Sequence, residues 1–428
     1  MIRRAAVIGA FVAVVAACTS PTSSKQAAPA VDNTSTVGIT PDAVHISLIT
    51  ADLSILTQQH LAPDLGDPVK AAQAVVDEIN ATGGVAGRKL VLTAHKIPNA
   101  PLATPDTLQR ACVQATEEDK SLAVIIAAAV PVNVVQCVAV AHDQLAITMD
   151  SWQQKVYDDA QGRIFSLSSQ LSVDIEREYS YLPALFLAQH ALAGKTVGIL
   201  NQDQPSDRTA AATALKAALT KAGIKLAAEA TAPYAAGSFS CSQTDTAIQK
   251  MKQAKVDFVF LIAQNLCAAA LVKAAADADF KPQWATLGNN VTDTVAQFMA
   301  PAKDNYDGAW GISGAVPTMT KEGNDCNAIV ARRAGLRYTP GTDPYGFVAV
   351  TCMQIETLTN ALKTAKAPLT QGAVIRAFEA MQSVPLAMGP PGSMSATKHD
   401  AGDYVWLEKY SAAQGKFVVI NPTPQRIP

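Results

Sequence analysis

The sequence predicts an α/β fold made of two doubly wound, parallel-sheet lobes. At 428 residues the chain is long enough for two cores of ordinary size. From Val44 onward, short apolar strands alternate with helix-length segments, the pattern of a parallel sheet covered on both faces. The alternation comes in two series, and the stretch FSLSSQ at residues 165–170, which connects them, is the first candidate hinge.

The first series places strands at His45–Thr50, Lys89–His95, Ala123–Ala128 and Ala146–Met149, with helices over about 67–82, 105–118 and 132–143. Its opening helix has clear ends. Asp67 can cap it, Pro68 suits the first turn, and Ala72, Val75, Val76 and Ile79 recur at helical spacing. Gly83 or Gly84 supplies the left-handed stop, and a strand follows Gly87. The second series reads helix 172–191, strand Thr196–Asn201, helix 207–222, strand 226–231, helix 243–254, strand Asp257–Ala263, helix 265–278 and strand Gln283–Leu287. After AWGISGAV come helices near 322–335, 344–364 and 371–381. A turn-rich tail then carries Tyr404, Trp406, Val418 and Val419 as strand residues.

Composition excludes several classes of function. Lys+Arg 34 against Asp+Glu 36 leaves a formal net charge of -2, so no basic field is available for nucleic acid. Aromatic residues at 6% are too sparse for base-stacking platforms. At the N-terminus, Arg3 and Arg4 precede an uncharged stretch from Ala5 to Ala17, the layout of an export signal over residues 1–17. Val15-Ala16-Ala17-Cys18 resembles a bacterial lipobox, which implies lipidation of Cys18. The alternative is an ordinary signal peptide that contains a cysteine. Residues 18–42, rich in Ser, Thr, Pro and Ala, read as a flexible tether.

Six further cysteines remain: Cys112, Cys137, Cys241, Cys267, Cys326 and Cys352. An even set in an exported chain suggests disulfides. Pairing in sequence order gives separations of 25, 26 and 26, as though each pair staples neighbouring elements of one lobe. About 15 connectivities are open to six cysteines, and buried free thiols are the alternative.

With the segments DEINATGGVAGRKLVL, TVGILNQD, VDFVFLIA and YGFVAVTCMQIETLTNALKTA in hand, the chain resembles the type I periplasmic binding proteins of the leucine/branched-chain amino-acid group, the substrate-binding components of ABC transporters. The resemblance covers about 43–421 and implies two lobes joined by three hinge crossovers, near 165–170, 310–315 and 397–404. Lobe 1 would be 43–166 plus 314–397, and lobe 2 would be 167–312 plus 404–421. It implies no cofactor. The expected partners are a small-molecule ligand, the ABC permease subunits and the cell membrane through Cys18, with no nucleic acid and a monomeric state. The expected place is the outer face of that membrane.

In such sheets the ligand lies beyond the carboxyl ends of the strands. In amino-acid binders of this group, hydroxyls after the third and fourth strands hold the ligand carboxylate, and an acidic residue with aromatic side chains from lobe 2 holds the ammonium. This sequence departs at those positions. AAAVPVN at 127–133 lacks a hydroxyl, Asp150-Ser151-Trp152-Gln153 follows strand four, Ser206 stands where a tyrosine is common, and GNN at 288–290 replaces the acidic residue. A less charged, larger or flatter ligand is expected, with Trp152 as a stacking face and Asp150, Ser151, Ser206, Gln264, Asn265, Asn289 and Asn290 as polar contacts. Each has a bland alternative. Asn289 and Asn290 suit turns, Trp152 suits a packed core, and Asp150 and Asp207 suit helix caps.

Enzyme readings are weak. The six histidines are scattered without HExxH or paired Cys/His spacing, so no metal site and no catalytic residue is expected. Gly194-Lys195-Thr196 precedes a strand instead of following one, and Ser395-Ala396-Thr397-Lys398 is an SxxK without its companion motifs. The competing reading is a sensing or partner-binding lipoprotein of the same fold that transports nothing.

Overall fold

Phe258–Ile262 is apolar at five consecutive positions, and all five are buried. Only a strand covered on both faces can accommodate that, and alternation assigns the residues to two sides. Phe258, Phe260 and Ile262 pack with Tyr179, Phe186, Ala211 and Leu215, whereas Val259 and Leu261 pack with Ile248, Met251, Cys267 and Leu271. The computed structural model describes residues 34–59, 62–98, 103–127, 130–167, 175–203, 206–235, 240–287, 296, 298–314 and 318–427.

The first sheet has the order β2-β1-β3-β4-β5 and all its strands are parallel. They are β1 (Ala43–Asp52), β2 (Lys89–Pro98), β3 (Ala123–Ile126), β4 (Leu145–Thr148) and β5 (Ile164–Ser166). Between them lie α1 (Ser54–Gln58), α2 (Pro68–Ala81), α3 (Pro105–Val113), α4 (Val132–Gln136) and α5 (Gln154–Ala160). The predicted cap of α2 is present, with Asp67 accepting the Lys70 N–H at 3.0 Å and Pro68 in the first turn. Both Gly83 and Gly84 adopt positive φ at its end.

A second sheet runs β14-β13-β12-β11-β10-β6-β7. Its parallel strands are β6 (Val197–Gln202), β7 (Leu226–Ala232), β10 (Phe258–Ile262), β11 (Gln283–Leu287) and β12 (Trp310–Ser313). Two antiparallel strands complete it, β13 (Tyr404–Ser411) and β14 (Lys416–Val419), and the short β15 (Gln425–Arg426) pairs with β13. A two-residue hairpin, β8 (Tyr234–Ala235) with β9 (Ser240–Cys241), stands apart. The helices are α6 (Ile175–Ala188), α7 (Ser206–Lys221), α8 (Thr244–Gln253), α9 (Asn265–Asp277) and α10 (Lys303–Tyr306).

Three helices follow β12: α11 (Lys321–Ala334), α12 (Asp343–Thr364) and α13 (Gln371–Glu379). They return to the first sheet, since Cys326, Val330, Val348, Cys352, Ile355 and Phe378 share one core with Ile46, Val124 and Ile147. That core takes residues between Val44 and Leu167 and again between Cys326 and Ala401. The cores of the second sheet take Ile175–Ile312 and Val405–Ile427. At the last passage Asp400 bridges to Ser166 of β5, with the Ser166 N–H donating to the His399 carbonyl at 2.9 Å and the Ala401 N–H donating to the Ser166 carbonyl at 2.8 Å.

Several local expectations are corrected. The helix expected over 105–118 is α-helical only to Val113 and continues as a π-turn over Gln114–Glu118, and the one over 132–143 changes likewise at Cys137–Ala141. A π-turn of five residues at a helix end is too short to leave a mark in the apolar spacing, so periodicity did not reveal it. β2 continues to Pro98 beside β1, and α5 and β5, absent from the reading, occupy Gln154–Ala160 and Ile164–Ser166. The three cysteine pairs are disulfides in sequence order, Cys112–Cys137, Cys241–Cys267 and Cys326–Cys352, with Cα separations of 6.3, 4.9 and 5.9 Å. Cys18 lies outside the described residues. Among the described residues no helix is long and apolar enough to cross a membrane.

Candidate functional site

The loop after β4 is held from below. The Asp150 N–H donates to Thr148 Oγ1 at 3.1 Å, and Ser166 Oγ donates to the Asp150 carbonyl at 2.8 Å while also meeting Tyr157 Oη at 2.7 Å. These bonds fix the backbone and leave the Asp150 side chain unused. Among the described residues its carboxylate has no hydrogen-bond or ion-pair partner, and desolvation pushes its pKa up to about 7. The residue as a whole is only partly buried.

Trp152, two residues on, packs partly exposed against the first core, and its Nε1 is buried without an acceptor. The same loop meets the start of α6, whose Ile175 N–H donates to the Trp152 carbonyl at 3.4 Å. Beside it the Gln154 N–H donates to Glu176 Oε2 at 2.9 Å. The loop after β4 is therefore joined to the first helix of the second series.

Across from it lies an open groove of about 640 Å³. Gln153, Glu176, Asp203, Thr209 and Thr213 provide its polar lining, with alanines of α7 behind them. Asp203 follows β6 and accepts the Tyr234 N–H at 2.7 Å. Thus residues after β4 and after β6 face one groove, the arrangement expected where strand ends of two sheets converge. The last residue of β6, Gln202, is fully buried; its Oε1 accepts the Gln264 N–H at 2.9 Å, and its Nε2 has no acceptor.

The sequence-derived candidates fall into three groups. Asp150, Ser151 and Trp152 share the loop that abuts α6. Gln264 caps α9 with extended backbone and Asn265 begins that helix, both beside the end of β6. Ser206 is the first residue of α7, and its side chain and that of Asp207 lie outside what the structure describes; Asn289 and Asn290 lie outside the described residues. Sequence reasoning missed Gln202 and Glu176. Gln202 carried one usable signal, a polar residue ending an otherwise apolar strand, whereas Glu176 looked like any acidic residue in a first helical turn.

Two enzyme-like sets resolve into structural roles. In the SxxK stretch the Lys398 ammonium is turned to carboxylates, reaching Asp403 Oδ1 at 3.0 Å, while Ser395 and Lys398 pair only through backbone. Ser47 Oγ and His95 Nε2 both contact Asp119 Oδ2, at 2.8 and 2.6 Å, so the histidine serves the aspartate and offers the serine no base. The cysteine-containing clusters with His142 and with Glu356 are built on disulfide sulfurs, which are not thiolate ligands.

The sequence profile of the periplasmic binding protein family matches residues 61–415. This chain belongs to that family. Its members are substrate-binding proteins that act outside the cytoplasm, and the comparison with solved structures agrees on the fold. A possible leucine/isoleucine/valine-binding protein from Rhodopirellula baltica SH 1 is 13% identical, with 92% of this chain and 98% of that chain covered at a TM-score of 0.64. A branched-chain amino acid ABC transporter protein from Thermus thermophilus, with bound valine, is 14% identical, with 90% and 97% covered at 0.65. A fatty acid ABC transporter substrate-binding protein from Thermomonospora curvata is 15% identical, with 92% and 97% covered at 0.63. A search of curated proteins gives no match. At these identities the likeness of this periplasmic binding protein to the solved structures is one of fold.

Proposed function

We propose that this periplasmic binding protein captures a small polar or amphipathic solute between its two sheets, closes over it by hinge motion, and delivers it to an ABC permease. Residues 43–166 with 314–397 and residues 167–312 with 404–421 are the two moving lobes, and lipidated Cys18 holds them at the outer face of the membrane. The protein acts as a monomer and by binding alone. The observation that carries this reading is the groove itself, lined by Gln153 after β4 and by Glu176, Asp203 and Thr209 of the second series, with the Asp150 carboxylate three residues before Gln153 in the same loop and unpaired among the described residues. A carboxylate there opposes the carboxylate of a free α-amino acid, so the usual amino-acid recognition set does not apply.

Thermal shifts against amino acids, amides, short peptides, sugars, polyols and aromatic acids test it. A ligand at 100 times its Kd stabilises the protein by about 2.7 kcal/mol. Tight saturable binding of leucine would overturn the exclusion of amino acids. A flat response across every class would favour a sensing or partner-binding lipoprotein.

A further inference from the structure

Between Ala401 of the first core and Val405 of the second sheet's core the chain crosses from one body to the other, and four charged side chains gather at that crossing. Arg177 stands in the first turn of α6, between Ile175 and Tyr179, which both pack in the second body. Its guanidinium donates to Asp400 and to the Gly402 carbonyl at 2.5 Å. Asp400 belongs to the first body, since it bridges Ser166 of β5 and precedes Ala401 of that core. Lys398 reaches the other way. It follows Met394 of the first core in a turn closed by Ser395, and its ammonium meets Asp403 Oδ1 at 3.0 Å. Asp403 belongs to the second body, where its carbonyl accepts the N–H of Ile427 at 2.9 Å. Ser393 adds a third crossing bond, its Oγ donating to Asp403 Oδ2 at 2.7 Å.

The two carboxylates are 5% and 7% exposed, and each cation lies within 4.0 Å of both. A motion that drew the bodies apart here would leave a buried carboxylate without its countercharge, a far larger cost than parting an exposed pair. A rotation about this point changes the four separations little. The loop after β4 meets α6 more loosely, through single N–H bonds to the Trp152 carbonyl at 3.4 Å and to Glu176 at 2.9 Å. Such bonds exchange with water at a much smaller net cost.

We infer that the Arg177–Asp400 and Lys398–Asp403 pairs form a pivot, the fixed point about which the two lobes turn. The inference rests on the hinge motion proposed above and adds where its axis lies. Arg177 and Lys398 are positioning residues that act on the solute site through the angle between the lobes.

Single-molecule energy transfer on the full chain, without solute, tests it. Dyes are attached through non-canonical amino acids at exposed Lys70 of α2 and Lys273 of α9, so that the cysteines stay in their bridges. Wild type should give one narrow distribution of distances between the bodies, and Arg177→Met and Lys398→Met should each widen it about twofold. Ser393→Ala removes one crossing bond and leaves both ion pairs, so it should widen the distribution less. Gly84→Ala, a destabilising change in the turn after α2, should leave the width as in wild type, which separates a pivot from a general loosening of the fold. If Arg177→Met fails to fold, Lys398→Met and Ser393→Ala carry the comparison. Unchanged widths in the ion-pair variants, or equal widening by Gly84→Ala, would overturn the pivot. A wild-type distribution already as broad as the variants' would overturn it and leave hinge motion intact. A narrow distribution in every protein, unmoved by a solute found by thermal shift, would remove hinge motion as well.

Discussion

Asp150 and Arg177 show how differently two charged residues can be placed close to the junction of β4 and β5 with α6. Burial raises the Asp150 carboxyl from an ordinary 3.8 to about 7, so between those values the native protein holds a proton that the unfolded chain has released. Stability at this site is therefore lost as pH rises from about 4 to 7. Asp150→Asn should be more stable than wild type at pH 8 by on the order of 2 to 4 kcal/mol, with the difference vanishing below about pH 4. Urea denaturation at several pH values measures it, and a variant no more stable at pH 8 would contradict the raised pKa. Arg177 is the converse case, a cation held by carboxylates. It donates to Asp400 and to the Gly402 carbonyl, while Lys398 reaches Asp403 and Ser393 Oγ donates to Asp403 Oδ2 at 2.7 Å. Arg177→Met leaves two buried carboxylates to a single lysine and should cost about 3 kcal/mol in the same experiment. The sequence marked Asp150 because a carboxylate follows a strand where hydroxyls were expected. It could not mark Arg177, since its partners lie more than 220 positions away.

At the scale of elements, long apolar runs were legible and short or irregular pieces were not. VDFVFLIA became β10 because five buried apolar residues have no other stable setting. Three-residue β5 was missed because IFS is too short to show a period, yet its neighbour β4 and the bridge to Asp400 give it a place. The double glycine after α2 was read correctly as a stop, and the structure separates the demands on the glycines of this turn. Gly84 and Gly87 share nearly the same positive φ, +70 and +77, but a Cβ on Gly84 would lie 2.1 Å from the Arg88 carbonyl oxygen, whereas one on Gly87 would meet nothing. Gly87→Ala should cost about 1 kcal/mol from backbone strain alone, and Gly84→Ala about 2 kcal/mol more. Equal losses by thermal melting would show that the turn relaxes freely. The candidate site was legible only where it sits on strand ends, because the groove also depends on where α6 and α7 pack, and that is set by long-range contacts.

On the scale of the whole molecule, the first core takes Val44–Leu167 and Cys326–Ala401 and the second sheet's cores take Ile175–Ile312 and Val405–Ile427, while each disulfide joins residues within one core or at its edge. The bridges therefore stiffen the bodies and do not span the passages. Ligand saturation should reduce the radius of gyration in small-angle scattering, and it should do so after reduction as well as before, though each lost bridge lowers stability by about 3 kcal/mol. An unchanged radius with a bound ligand would count against closure.

The same placement has a mechanical consequence. Pulled by its ends, the oxidised chain cannot release the 25 or 26 positions spanned by each bridge, so roughly 85 Å of contour per bridge stays hidden from the force. A force trace should show fewer and shorter steps before reductant than after it, with the added length divided among three increments of nearly equal size.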